Sequence, residues 1–361
     1  MQRRDFIRSM GAGSLALGAG LASSGALAAK PEHKWKMVTT WPKNFPGLGT
    51  AANKLAELIG LMSGGRIRVK VYGAKELIPA FEVFDAVSRG TAEMGHGSAY
   101  YWKGKDESAQ FFSTVPFGLT AQEMNAWMYY GGGLELWTEL YDRFGLIPEP
   151  AGNTGVQMGG WFNKEINSLV DLDGLKMRIP GLGGEVLKRL GGTPVNLPGG
   201  ELFIALETGA IDATEWVGPY NDLAFGLYKA AKYYYYPGFH EPGTILEAMI
   251  NKKAFEALSE DLQAIVRYAC RAVNQDLLAE YTARNPTALQ TLLGKHHVDM
   301  RPYPDDVLAQ LRTISAEVVA ELAEKDAFSR RVYNSYSRFR EEAMRWSRIS
   351  ELAYLQARKG A

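Results

Sequence analysis

The chain has 361 residues, with 40 Lys and Arg against 40 Asp and Glu, so it gives no electrostatic case for binding nucleic acid or an anionic membrane. Its single cysteine, Cys270, excludes an internal disulfide, and the fold must rest on its hydrophobic cores. The length is enough for two lobes.

The N-terminus reads as a targeting segment over residues 1–28. "RRDFIRSM" carries paired Arg3 and Arg4 followed by Phe6 and Ile7. A weakly apolar, glycine-rich run follows from Gly11 to about Leu27, too short and too rich in glycine to span a membrane. "GALAAK" then offers small residues at Ala26 and Ala28, as a signal peptidase site requires. The paired arginines resemble a twin-arginine signal, which exports folded proteins; a Sec signal is the alternative. The expectation is a soluble, exported protein of the periplasm. Its removal leaves a slightly acidic chain, so any attraction for an anion must be local.

"HKWKMVTTW" (33–41) predicts a strand, and "GTAANKLAELIGLMSGG" (49–65) a helix with Ala52, Leu55, Leu58, Ile59 and Met62 on one face. "RIRVKVY" (66–72) alternates as a strand, "PAFEVFDAVSRG" (79–90) is helical, and "AEMGHGS" (92–98) is a short strand running into the aromatic loop "AYYWKGK". This order argues for an α/β fold with a parallel sheet. A helical span from Gln122 to Phe144 leads to a second set. In it, "TGVQMGGWF" (154–162), "GLKMRIP" (174–180), "TPVNLP" (193–198) and "IDATEW" (211–216) read as strands, and "GEVLKRLGG" and "GELFIALETGA" as helices. "KYYYYPG" and "TILEAMI" are further strand candidates. The chain is expected to cross between two lobes near residues 153 and 240. Lobe I takes residues 30–153 plus about 244–285, and lobe II residues 154–243 plus about 286–303. Such a pair encloses a cleft that a hinge can close. From 304 to 361 a helical stripe through Val307, Leu311, Ile314, Val318 and Leu322 continues to Phe339, as one long helix or two with a bend near Asp326. It is longer than one lobe needs, so it packs across both lobes or against a second subunit.

There is no phosphate loop, HExxH or CxxC, and the five histidines are scattered. Arg178 falls at the end of a predicted strand just before Pro180, where ligands of α/β sheets collect. A guanidinium there either grips a carboxylate with two parallel hydrogen bonds or serves a structural ion pair. Glu215 and Trp216 also end a strand, against the break at Gly218 and Pro219. A buried Glu215 needs a cation: Arg178 could supply it, leaving nothing over for a ligand, or a metal ion could. Gln157 offers a neutral oxygen, and oxygen donors suit Na⁺ or Ca²⁺. Glu241 in "GFHEPG" is a further metal ligand or a hinge-region ion pair. Tyr101 in "AYYW" follows a strand end and is placed among the substrate contacts. "YYYY" reads more as packing.

Together, "FDAVSRGTAEMGHGS", "DLDGLKMRIPG", "LGGTPVNLPGGELFIALETGAIDATEW" and "YYYYPGFHEPG" resemble the DctP-like solute-binding proteins of TRAP transporters, over about residues 33–300. "ATEWVGPYND" resembles the branch that binds 2-oxo or 2-hydroxy monocarboxylates. The resemblance implies a two-lobed periplasmic binding protein and not an enzyme; an exported metal-assisted lyase or hydrolase is the competing reading. It also implies delivery of a pyruvate-like acid to TRAP membrane subunits. It makes Arg178 the carboxylate clamp; Gln157, Trp216 and Tyr101 are expected beside the substrate. It maps the metal ligands to Gln157, Glu215 and the backbone carbonyl of Trp216, with Glu241 as a further candidate, and the ion to Na⁺ or Ca²⁺. The C-terminal helix is implied to mediate a homodimer. A monovalent cation and a monocarboxylate would balance Arg178 and Glu215; if Glu241 also ligates, a divalent ion balances better. Without substrate the open state is expected to be favoured.

Overall fold

Alternating apolar and charged residues build the first strands of the computed structural model, which describes residues 31–360. The targeting segment lies outside the described residues. The strands are β1 (His33–Thr39), β2 (Ile67–Tyr72), β3 (Met94–Gly97), β4 (Leu146–Asn153), β5 (Gly160–Phe162), β6 (Lys176–Arg178), β7 (Thr193–Val195), β8 (Ala213–Thr214), β9 (Tyr233–Tyr236), β10 (Ile245–Asn251) and β11 (Asp299–Pro302). They form two sheets. The first runs β2-β1-β3-β10-β4, with β1 parallel to both neighbours and β10 antiparallel to both of its own. The second runs β11-β9-β5-β8-β6-β7, with β6 parallel to β7 and β8 and β5 antiparallel to β8 and β9. Helices cover the sheets, so the molecule is a two-lobed α/β protein.

The chain passes between the sheets three times. Residues 154–159 lead from β4 to β5, and residues 237–244 lead from β9 back to β10. The third passage is the 35-residue helix Glu260–Gly294, which packs on β4 and on helix Leu48–Met62 before the chain enters β11. This helix continues without a break through residue 285, where the sequence reading changes lobe, and holds Pro286 within it.

Several elements differ from the sequence expectations. In "TGVQMGGWF" only Gly160–Phe162 pairs as strand; the residues before it are the first crossing. The span 122–144 is two helices, Ala121–Tyr130 and Gly133–Asp142. Two glycines, Gly131 and Gly132, separate them, and Gly132 takes a left-handed φ of 88° that other residues resist. β4 went unanticipated because Pro148 and Pro150 interrupt its pattern; it lies at the sheet edge, where proline is tolerated. At the C-terminus, the break at Asp326 divides helix Asp305–Ala323 from helix Ala327–Ile349. The Asp326 carboxylate caps the second helix, accepting from the backbone N–H groups of Phe328 and Ser329 at 2.8 Å. The first of these helices packs on helix Gly181–Arg189 of the second lobe, with Arg189 paired to Glu321 at 2.5 Å. The second packs on the first lobe, where Tyr336 Oη accepts from the Leu119 N–H and Arg331 pairs with Glu139. The C-terminal segment therefore straddles both lobes.

Glu247, at the centre of β10, fixes the turn that carries Tyr100 and Tyr101. It is fully buried and accepts from Trp102 Nε1 at 2.5 Å and Tyr141 Oη at 2.7 Å. Burial outweighs these two donors and pushes its pKa up to about 7. Because the folded-state pKa lies above the unfolded value, the stabilising contribution is present below about pH 4 and is lost as pH rises towards 7. Glu247→Gln removes this dependence. Relative to wild type, the variant should gain on the order of 3 kcal/mol between pH 4 and 8, measured by urea unfolding across that range. Parallel stability curves for the two proteins would contradict it.

Candidate functional site

Arg178 ends β6 and, in register, faces Thr214 of β8 on one side and Val195 of β7 on the other. Glu215 and Trp216 follow β8 directly, so both strands deliver their functional residues to the same edge of the second sheet. Gln157 and Glu241 come from the two crossings. The Gln157 N–H donates to the Glu241 carbonyl at 3.1 Å, and the Gly238 N–H donates to the Gln157 carbonyl at 2.9 Å. A Cβ on Gly238 would stand 2.4 Å from that carbonyl, so only glycine allows the crossings to approach this closely. Tyr101 arrives from the first lobe, on the turn Ala99–Trp102 after β3. The structure thus gathers Arg178, Gln157, Glu215, Trp216, Glu241 and Tyr101 into one cluster between the lobes.

Arg178 is 1% exposed. Its Nε donates to the Leu197 carbonyl at 3.1 Å, its Nη2 to Tyr101 Oη at 3.1 Å, and its Nη1 to one carboxylate oxygen of Glu215. Burial is the largest influence and works against the charged guanidinium, but the Glu215 carboxylate together with Tyr101, Tyr100 and Glu241 outweighs it and holds the pKa above the usual arginine value. The guanidinium also lies 4.9 Å from the Trp216 ring, a cation–π contact. Of the two roles open to Arg178 from sequence, the ion pair with Glu215 is therefore made in this state.

Glu241 accepts from Thr244 Oγ1 at 2.6 Å and from Gln157 Nε2 at 2.8 Å. Burial and the nearby Glu215 charge hold its carboxyl well above the ordinary carboxylate range. Several buried polar atoms have no hydrogen-bond partner: the second oxygen of Glu215 (Oε2), Oε1 of Gln157, Nε1 of Trp216 and both ring nitrogens of His240. One ligand atom each from Glu215, His240 and Glu241 lie within 4.8 Å of one another. Unpaired, fully buried oxygens of a carboxylate and an amide are donors of the kind a hard cation takes.

Trp41 covers the first-lobe side, edge-on to Trp216 at 6.2 Å. It is held by His96, whose Nδ1 accepts from Trp41 Nε1 at 2.7 Å and whose Nε2 donates to the Ala151 carbonyl at 3.1 Å. Burial lowers the pKa of His96 to about 4, so the neutral ring is kept at physiological pH. A small cavity remains, lined by Trp41, Tyr100, Tyr101, Gln157, Trp216 and Thr244 among others. The "YYYY" strand turns away from it: Tyr234 stacks on Trp161 and donates to Asp222, while Tyr235 Oη accepts from the Ile166 N–H. Sequence reasoning did not place His240, Trp41 or Thr244 here. His240 adjoins Glu241, and that adjacency in "GFHEPG" was the available signal.

Residues 37–326 match the family model described as bacterial extracellular solute-binding protein, family 7 (DctP). The chain is 45% identical over 335 residues to the monocarboxylate 2-oxoacid-binding periplasmic protein of Nostoc sp. PCC 7120, covering 92% of this chain and 91% of that protein. It is 44% identical to a TRAP periplasmic solute binding protein from Pseudoalteromonas atlantica T6c, crystallised with bound sodium and pyruvate. The likeness covers 91% of this chain and 99% of that one at a TM-score of 0.88. A TRAP periplasmic solute binding protein from Colwellia psychrerythraea, with bound calcium and pyruvate, is likewise 44% identical, covering 91% and 100% at a TM-score of 0.88. Each of these relatives is a binding protein rather than an enzyme. By sequence match, by identity along its length and by fold, the chain belongs to family 7 of the bacterial extracellular solute-binding proteins, the DctP family of TRAP transporters.

Proposed function

We propose that the protein binds a small 2-oxo monocarboxylate such as pyruvate in the periplasm, together with Na⁺ or Ca²⁺, and delivers it to the membrane subunits of a TRAP transporter. The observation that carries this reading is the buried Arg178–Glu215 pair, with the second Glu215 oxygen and Gln157 Oε1 both buried and unpaired. Pyruvate and a hard cation in two relatives at 44% identity support it. The cation would be held by Gln157, Glu215 and the Trp216 carbonyl, with Glu241 next to them, and supplies positive charge to both the protein and the acid. Glu215 would then pair with the cation in place of the guanidinium, which would leave the N–H groups of Arg178 for the ligand carboxylate. Trp216 and Tyr101 close over the acid from either lobe. The swap keeps the buried cluster near neutrality throughout, which avoids the cost of isolating either charge. Native mass spectrometry of the purified protein, followed by calorimetric titration with pyruvate, lactate and propionate in Na⁺ and in Ca²⁺, tests the reading. Saturable pyruvate binding without turnover is expected; no binding in either cation, or consumption of the acid, would sink it.

The export step belongs to the same proposal. Arg3→Lys with Arg4→Lys should leave unprocessed precursor in the cytoplasm if the twin-arginine route is used, and unaltered export would point to Sec. A homodimer through the C-terminal helix is supported by an apolar strip that stays open to solvent: Trp346, Ile349 and Tyr354 are 67%, 72% and 66% exposed. Light scattering should find a dimer that Trp346→Glu with Ile349→Glu converts to a monomer. A monomeric wild-type protein at tens of micromolar would refute it.

A further inference from the structure

His240 lies inside the same cluster, yet the reading above gives it no task. It is 1% exposed, and its Nε2 stands 3.6 Å from Glu215 Oε2, too far for a hydrogen bond. Neither ring nitrogen has a hydrogen-bond partner among the described residues. An imidazole in either tautomer carries at least one N–H donor, and a buried donor without an acceptor is costly. His96 makes the contrast plain: it is equally buried, and both of its nitrogens are hydrogen-bonded. The His240 side chain packs against Gly183 and Phe239. Its Cβ stands 3.0 Å from where a Cβ on Gly183 would be, and Phe239 packs edge-on at 5.3 Å. A hard ion such as Na⁺ or Ca²⁺ takes oxygen rather than imidazole, so the cation does not account for His240.

We infer that His240 is a direct ligand contact, its ring N–H donating a hydrogen bond to an oxygen of the bound acid. This rests on the proposed binding of a 2-oxo acid in this cluster. A second N–H donor in the cluster that holds the guanidinium rewards a ligand with a second acceptor oxygen next to its carboxylate. His240 is thereby one source of preference for pyruvate over propionate, which has the carboxylate but lacks the 2-oxo group.

The test is calorimetric titration of pyruvate and propionate at a fixed Ca²⁺ concentration with wild type, His240→Ala and His240→Gln. Ca²⁺ is titrated separately without acid, and thermal unfolding confirms that each variant is folded. His240→Ala should lower pyruvate affinity about fivefold to a hundredfold, the cost of leaving one buried acceptor without its donor. It should narrow the gap between pyruvate and propionate, and leave Ca²⁺ affinity unchanged. His240→Gln, which keeps an N–H donor, should recover part of the loss. In unaltered protein labelled with ¹⁵N-histidine, the His240 ring N–H should become protected from solvent exchange when pyruvate is added. That measurement is independent of whether the variants fold. Unchanged pyruvate affinity in His240→Ala overturns the inference, as does a loss traced wholly to weaker Ca²⁺ binding. Wild-type protein that binds no 2-oxo acid in either cation overturns the proposed function and this contact with it, whereas wild-type binding with an unprotected ring overturns the contact alone.

Discussion

Arg178→Ala weakens pyruvate binding by roughly thirty-fold to several thousand-fold, the cost of truncating one partner of a buried, hydrogen-bonded charge pair. It also destabilises the folded protein by about 3–5 kcal/mol, because the Glu215 carboxylate is left fully buried with its guanidinium removed. The two effects have different origins and can be separated. Arg178→Ala combined with Glu215→Gln replaces the stranded carboxylate with a neutral amide and should recover most of the stability while binding stays lost. Arg178→Lys keeps the charge but not the planar fork that reaches Leu197, Glu215 and Tyr101 together, so it should recover binding only in part. Urea unfolding and calorimetry on the same four proteins measure both quantities. Wild-type affinity in a folded Arg178→Ala protein would remove the guanidinium from the site.

Residues that end regular strands were legible in the sequence. Arg178 stands before Pro180 and Glu215 before the Gly218–Pro219 break, and these punctuation marks locate strand ends without any tertiary information. Residues on the crossings were not legible in that way. Gln157 and Glu241 are 84 positions apart and meet only because two non-periodic segments hydrogen-bond to one another. The period-two reading that extended a strand through Gln157 failed for the same reason: a crossing has no face to alternate about. Both Gln157 and Glu241 were read as oxygen donors from residue type, and the resemblance to a known family mapped Gln157, with Glu241 as a further candidate, to the metal site. His240 escaped both routes, since a lone histidine in a loop carries no pattern and its unpaired nitrogens appear only in three dimensions. β4 was hidden by Pro148 and Pro150, whose edge position is a property of the sheet and not of the segment.

Withdrawing Na⁺ and Ca²⁺, by chelation and exchange into a choline buffer, should weaken pyruvate binding by at least about a hundredfold, since each buried charge pair lost costs several kcal/mol. The argument starts from Glu215. With no cation, its carboxylate depends on Arg178, and the incoming acid must either compete for that guanidinium or lie against an unneutralised carboxylate. Both alternatives are costly in a site closed to water. Glu215→Gln should therefore impair binding in a way that excess cation does not fully restore, because an amide oxygen ligates a hard ion without neutralising it. Glu241 decides between the two ions. If it joins as a carboxylate, a divalent ion balances the cluster, and Glu241→Gln should shift the preference from Ca²⁺ towards Na⁺. Titrating pyruvate into each protein in Na⁺, in Ca²⁺ and in choline alone gives the comparison. Equal affinity in all three buffers would mean that the unpaired oxygens of Glu215 and Gln157 serve something other than a cation. In that case Arg178 binds the acid without a cation, in competition with Glu215.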